Sequence, residues 1–288
     1  MVGTSMTPEE LEVAYDQSRW AANMGDVLAR YSVISDAMRL VAGQPTRLSY
    51  GPASEEMLDL YKASEVFAPI VVFVHGGGWR GGSAREYGFP AEMMMAAGIH
   101  FIALDFATIA DAKGDLAILV GQVRRALGWI YQNCSRFDGD PTRIYIVGHS
   151  SGAHLAAMAL STRWGDYGLS ANPIRGGVLV SGVYDLGPLQ HTSRSQYVHI
   201  DDRIERQLSP LHQIANLSAP LLLVVGSKES PEFQRQTWSY ADAASASARQ
   251  IKVVTAETYH HFDIVETLGN PYGLLGRNLL DFVATGYV

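Results

Sequence analysis

The chain has 288 residues, of which 47% are hydrophobic and 18% charged, and its formal net charge is −7. That composition supplies a large core and excludes global disorder, while an acidic balance with no run of Lys or Arg argues against nucleic acid or an anionic membrane surface as a partner. A single cysteine, Cys134, excludes an intrachain disulfide and fits a reducing, cytoplasmic setting.

The opening residues, Met1-Val-Gly-Thr-Ser-Met6, show no basic region followed by an apolar stretch, so no secretory leader is expected. Thr7-Pro8-Glu9-Glu10 places a capping hydroxyl, a proline at the first helical position and a glutamate able to reach back to the cap, which predicts a helix. A second amphipathic helix is expected over residues 32–40, giving a helical N-terminal segment of about 7–42. An extended pair follows at 47–50 and 57–61, divided by the turn signal Gly51-Pro52.

From there short apolar runs alternate with longer helical patterns. The runs are 70–74, 99–104, 144–147, 178–180, 221–225 and 251–254, nearly continuous in Val, Ile and Leu, as in strands covered on both faces. The helical patterns are 91–97, 115–131, 152–161, 232–246 and 274–283. The most apolar window, 93–110, is broken by His100 and Asp105 and reads as helix, turn and strand rather than a membrane span. The alternation predicts one α/β domain over 1–288, with a mostly parallel sheet and helices on both faces. The irregular stretch 184–210 is the candidate cap or lid.

Directly after the run 144–147 stands Gly148-His149-Ser150-Ser151-Gly152, followed by an Ala-rich helix. A G-x-S-x-G between strand and helix is the nucleophile elbow of the α/β-hydrolase fold, with Ser150 at its apex. The bland alternative is a Gly/Ser turn that merely starts a helix, but the flanking strand and helix favour the elbow. Ser151 offers a competing hydroxyl one place beyond the apex, where its backbone N–H is the more useful part.

After the run 70–74 comes His75-Gly76-Gly77-Gly78-Trp79, a loop of the type that turns backbone N–H groups onto a tetrahedral oxyanion. Gly77 and Gly78, with the N–H of Ser151, are the expected donors, each typically worth about 3 kcal/mol in the transition state. Gly76, Gly78 and Gly81 also spell a dinucleotide fingerprint, with Asp105 at the end of the next strand. That reading needs a helix to open at the third glycine, and residues 82–90 intervene instead, so no cofactor is expected.

The order for this fold is serine, acid, histidine. The histidine candidates, His260 and His261, are nearly equal on sequence alone. Glu229 lies past the run 221–225 at the distance expected of the acid, with Asp185 and Asp263 in reserve, while Glu232 is expected to begin the next helix. His149 and His154 read as packed and hydrogen-bonded, and His75 as a brace for its own loop. None of the nine histidines falls in a spaced ligand set, so no metal is expected.

These residues resemble the arylformamidases (kynurenine formamidases). The likeness runs through His75-Gly-Gly-Gly-Trp79, Gly148-His-Ser-Ser-Gly-Ala-His-Leu-Ala-Ala-Met158, Ser181-Gly-Val-Tyr-Asp-Leu-Gly-Pro-Leu189 and Leu208-Ser-Pro-Leu211. It continues in Glu229-Ser-Pro-Glu-Phe-Gln-Arg-Gln236 and His261-Phe-Asp-Ile-Val-Glu266. The resemblance implies hydrolysis of N-formyl-L-kynurenine to L-kynurenine and formate in tryptophan degradation, without a cofactor. It implies Ser150 as nucleophile, Glu229 as acid and His261 as base, and sets Trp79 and Tyr184 at the substrate. The chain departs from the family pattern where Glu229 replaces a common Asp, where Ser151 replaces a common Ala, and at Gly78, often a large residue. Residues 190–202 match poorly and are expected to line the pocket. The expected partner is a small-molecule substrate, with a homodimer as an open alternative. The rival readings are a carboxylesterase with the same machinery and a non-catalytic small-molecule binder.

Overall fold

The computed structural model describes residues 6–246 and 250–288; residues 1–5, on which the leader expectation falls, lie outside the described residues. The strands are β1 (Thr46–Ser49), β2 (Met57–Tyr61), β3 (Ala68–Val74), β4 (His100–Leu104), β5 (Gly139–His149), β6 (Ile174–Val180), β7 (Leu221–Gly226) and β8 (Ile251–Ala256). They form one sheet in the order β1-β2-β4-β3-β5-β6-β7-β8. The pairs β1–β2 and β2–β4 are antiparallel and all others parallel. The chain thus has the α/β-hydrolase fold that the alternation of elements predicts.

The helices are α1 (Pro8–Tyr15), α2 (Met24–Ala42), α3 (Ala91–Ala96), α4 (Leu116–Asn133), α5 (Ser151–Leu160), α6 (Asp202–Leu208), α7 (Pro231–Ser245), α8 (Asp263–Glu266) and α9 (Leu274–Thr285). Successive strand residues face opposite sides of the sheet, which is why the central strands are apolar without a break. Ile70, Val72 and Val74 pack with α1, α4, α5 and α7, while Val71 and Phe73 pack with α2, α3 and α9. No helix among the described residues is long and apolar enough to cross a membrane.

Thr7 caps α1 as its sequence predicts, with the reciprocal bond from Glu10 in place. The second helix departs from expectation by starting at Met24 instead of Ser32. Gly25 and Asp26 hide its first turns from a propensity reading. Tertiary packing overrides them: Val27, Tyr31 and Met38 form one buried stripe against the sheet, and the Tyr31 hydroxyl donates to the Phe262 carbonyl at 2.5 Å.

The stretch expected as a cap folds into short helical turns, Gly187–His191 and Ser193–Gln196, and then α6. It is fastened at both flanks. Ser193 donates its N–H and its hydroxyl to the Glu12 carboxylate, both at 2.6 Å, and His199 N–H donates to the Gly114 carbonyl at 3.0 Å. The His154 ring also bonds the Leu208 carbonyl from below, at 2.8 Å.

Strand β3 lies between β4 and β5, so chain connections leave its carboxyl end in opposite directions. Such a switch point opens a crevice at the carboxyl edge of a parallel sheet. The glycine loop after β3 and the serine turn after β5 both open into it.

Candidate active site

Strand β5 ends at His149 and helix α5 starts at Ser151, leaving Ser150 alone in a turn with φ 56° and ψ −123°. A side chain rarely adopts positive φ, and holding it there costs about 1–3 kcal/mol. The turn is tight because a Cβ on Gly152 would stand 2.1 Å from the Val74 carbonyl oxygen. Only glycine lets α5 approach β3 so closely.

His261 presents Nε2 to the Ser150 hydroxyl at 2.8 Å. Its Nδ1 lies 2.7 Å from Glu229 Oε2, an acceptor, so the proton resides on Nδ1 and the lone pair on Nε2 faces the serine. The second carboxylate oxygen of Glu229 accepts from the Ser181 hydroxyl at 2.6 Å and from the Gly226 N–H at 2.7 Å. Glu229 is 1% exposed, and a buried carboxylate holds its charge only when its lone pairs are occupied in this way. The longer arm of Glu229 is accommodated because these two donors clamp its far oxygen.

His260 faces the other way. Its Nε2 bonds Asn23 Oδ1 at 2.8 Å, and its Nδ1 accepts from the N–H groups of Phe262 and Asp263. The two reserve carboxylates stand apart from His261: Asp185 accepts from the Gly187 N–H, and Asp263 from the His260 N–H. Burial raises the Asp185 pKa above the usual carboxylate value.

The glycine loop packs directly on the serine turn, since a Cβ on Gly76 would lie 3.1 Å from Ser150 Cβ. Gly77, at φ 111°, turns its peptide as no other residue readily would. Neither the Gly77 nor the Gly78 N–H has an acceptor among the described residues. The Ser151 N–H, first in α5, belongs to the unsatisfied donors of a helix start, where the dipole is positive. Three open amides thus belong to the glycine loop and the helix start that meet at the serine turn. His75 donates from Nδ1 to the Gly76 carbonyl at 2.8 Å and lies flat between Tyr87 and Phe106. Burial lowers its pKa and keeps it neutral.

Both residues expected at the substrate are buried. Tyr184 is fully buried and stacks flat on Tyr240 at 4.4 Å, because the chain after β6 folds its ring back over Gly182. Trp79 is 2% exposed and sits edge-on to His154 beneath the loop. Its backbone is what serves the site: the Trp79 N–H donates to Ser151 Oγ at 3.1 Å, tying loop to helix. Phe106, Tyr197, Tyr259 and Phe262 are half-exposed aromatic side chains on the loops after β4 and β8 and on the cover segment.

Sequence reasoning missed Ser181 and the structural work of His149. Ser181 ends β6 as Ser150 ends β5, at the same edge of the sheet and also at positive φ, 55°. A polar residue directly after a parallel strand was the available signal. Among the described residues no three His, Cys, Asp or Glu side chains gather as a metal set.

Residues 58–170 match the BD-FAE family model. The kynurenine formamidase of Danio rerio is 34% identical, the alignment covering 97% of each chain. That of Salmo salar is 31% identical over 91% of this chain and 92% of its own. A crystal structure of a Silicibacter sp. TM1040 protein superposes with a TM-score of 0.81 over 96% of this chain and 99% of that one, at 24% identity, a likeness of fold. With this architecture and relatives matched end to end, the chain is a hydrolase of small amides or esters and belongs to the kynurenine formamidase family.

Proposed function

We propose that the protein is a serine hydrolase that removes the formyl group from a small N-formyl aryl amide, above all N-formyl-L-kynurenine, in cytoplasmic tryptophan breakdown. The observation that carries this reading is the unbroken chain of short contacts from Ser150 Oγ through His261 to Glu229, beside three open amides.

In the first half-reaction Ser150 Oγ bonds to the formyl carbon while its proton passes to His261 Nε2. The carbonyl oxygen takes the negative charge and is held by the N–H groups of Gly77, Gly78 and Ser151. Glu229 keeps the imidazole in the needed tautomer and stabilises the imidazolium that forms. The C–N bond then breaks, and the aryl nitrogen leaves with the proton from His261. In the second half-reaction water adds to the formyl ester, giving its proton to His261. Collapse returns that proton to Ser150 and releases formate. No cofactor enters the balance.

The test compares turnover of N-formyl-L-kynurenine with that of short p-nitrophenyl esters, together with fluorophosphonate labelling. The reading expects deformylation and labelling that Ser150→Ala abolishes. Efficient ester cleavage without deformylation would transfer the protein to the carboxylesterases, and labelling that survives the substitution would remove Ser150 from the chemistry.

A further inference from the structure

Arg194 lies on the turn Ser193–Gln196 of the cover segment, half-buried, with no carboxylate bound to it. Its Nη2 donates to the Tyr15 carbonyl at 2.8 Å, and its Cζ stands 5.9 Å from the centre of the Tyr15 ring. The Glu12 carboxylate close by has both oxygens engaged by Ser193. Among the described residues Arg194 makes no ion pair. The Glu12 charge acts on Arg194 through space without a direct contact, so the guanidinium keeps donors free for a further acceptor.

The free end of this side chain points at the glycine loop. A Cβ built on Gly78 would have one atom outside its own neighbours within 4 Å, Arg194 Nη1 at 3.5 Å. Nη1 therefore lies within about 5 Å of the Gly78 Cα, given a Cα–Cβ bond of about 1.5 Å. Because residue 78 has no side chain, the guanidinium approaches the loop backbone with nothing larger than a hydrogen between them. Arg80 adds a second cation on this rim, its Cζ 4.9 Å from the centre of the Tyr197 ring and likewise without an ion pair among the described residues. A chain of net charge −7 thus sets two arginines without a salt bridge among the described residues at the glycine loop and the cover segment.

We propose that Arg194 recognises a carboxylate on the substrate, so that the site selects anionic acyl compounds over neutral ones of the same size. The proposal rests on the reading of Gly77 and Gly78 as oxyanion donors. With an acyl oxygen held there, a carboxylate farther along the same substrate comes within one charge-assisted hydrogen bond of Nη1. The α-carboxylate of N-formyl-L-kynurenine is a group of this kind. Arg194 takes no part in bond breaking; it fixes which molecules present their acyl group to Ser150.

Two matched pairs test this: mono-p-nitrophenyl glutarate against p-nitrophenyl valerate, and N-formyl-L-kynurenine against its carboxamide, in which the carboxylate is uncharged. In Arg194→Met the anionic-to-neutral ratio of kcat/KM should fall about 10- to 100-fold, chiefly through KM, as for loss of a hydrogen bond to a charged group. Arg194→Lys, which keeps the charge without the planar fork, should fall in between. In the unaltered enzyme, raising NaCl from about 0.05 to 0.5 M should raise KM for the anionic ester more than for the neutral one. An equal loss on both members of a pair, or a ratio that neither substitution nor salt moves, overturns the proposal. A selective loss on the glutarate ester in an enzyme that never deformylates kynurenine would keep Arg194 in its role while the proposed function falls.

Discussion

His149 donates from Nε2 to the backbone carbonyl of His261 at 2.8 Å, so the residue before the nucleophile holds the loop that carries the base. The two rings lie 4.8 Å apart. Burial, and next to it the neighbouring His261, depress the His149 pKa well below its ordinary value, so it stays a neutral donor. Replacing it with Leu should free the loop after β8 to shift. Misplacement of a reacting group by about 1 Å costs about 100-fold in rate, so a kcat loss of roughly tenfold to 100-fold with little change in KM is expected. Steady-state kinetics on a folded His149→Leu sample decide it, and an unaltered kcat would reject the anchoring role.

Glu229→Gln keeps the volume but removes the charge facing His261 Nδ1, and its amide can select the wrong tautomer. By analogy with amide substitution in serine proteases, kcat should fall by about 10⁴-fold. Glu229→Asp probes reach instead. A carboxylate shorter by one methylene cannot meet both His261, bound at Oε2, and the Ser181–Gly226 clamp, bound at Oε1. Its kcat should lie between those of the wild type and Glu229→Gln. Near-normal turnover in Glu229→Gln would move the acid role elsewhere.

Ser181→Ala leaves Glu229 Oε1 with the Gly226 N–H as its remaining hydrogen-bond donor. A hydrogen bond to a charged group contributes about 1.5–3 kcal/mol, so about a tenfold loss of kcat and a measurably lower Tm should accompany the change. Calorimetry and initial rates on one preparation test both parts. A lower Tm with full activity would confine Ser181 to a packing role.

Stability should decline on mild acidification. Burial lowers the His154 pKa to about 4, from an ordinary value of 6.5, because its imidazolium would lose hydration without gaining a counter-ion. Below pH 6.5 the unfolded chain binds a proton that the folded chain refuses. The contribution of this neutral ring is therefore complete above pH 6.5 and is lost as pH falls toward the folded value. The slope approaches about 1.4 kcal/mol per pH unit, or about 2 kcal/mol between pH 6.5 and 5. His75, His100 and His149 are lowered by burial too and act in the same direction. Urea midpoints at pH 7.5 and 5 measure the sum, and His154→Phe should flatten part of the slope. A midpoint that holds steady or rises in acid contradicts it.

Local chemistry made much of this architecture legible. The Thr7–Glu10 capping box, the apolar strands and the glycines around residues 75–78 and 148–152 act over a few residues, so they read directly from order and spacing. What failed to read depends on contacts across the sheet. The start of α2 is set by burial of Val27 and Tyr31, not by propensity. Two adjacent histidines are equivalent until the backbone gives each a direction, and Asn23, more than 230 residues earlier, takes His260. The inward packing of the Trp79 and Tyr184 rings did not read either, because large rings in a tight turn find their partners below it, in residues distant in sequence.

The fastening of the cover to α1 has a practical consequence. Glu12 grips Ser193 and the Tyr15 carbonyl steers Arg194, while the Tyr15 hydroxyl donates to Glu232 at 2.7 Å on the helix that follows Glu229. The amino-terminal helix is therefore a buttress of the entrance, at the far end of the chain from the base. Trimming it, or fusing a bulky tag against it, should register as altered substrate preference before it registers as unfolding.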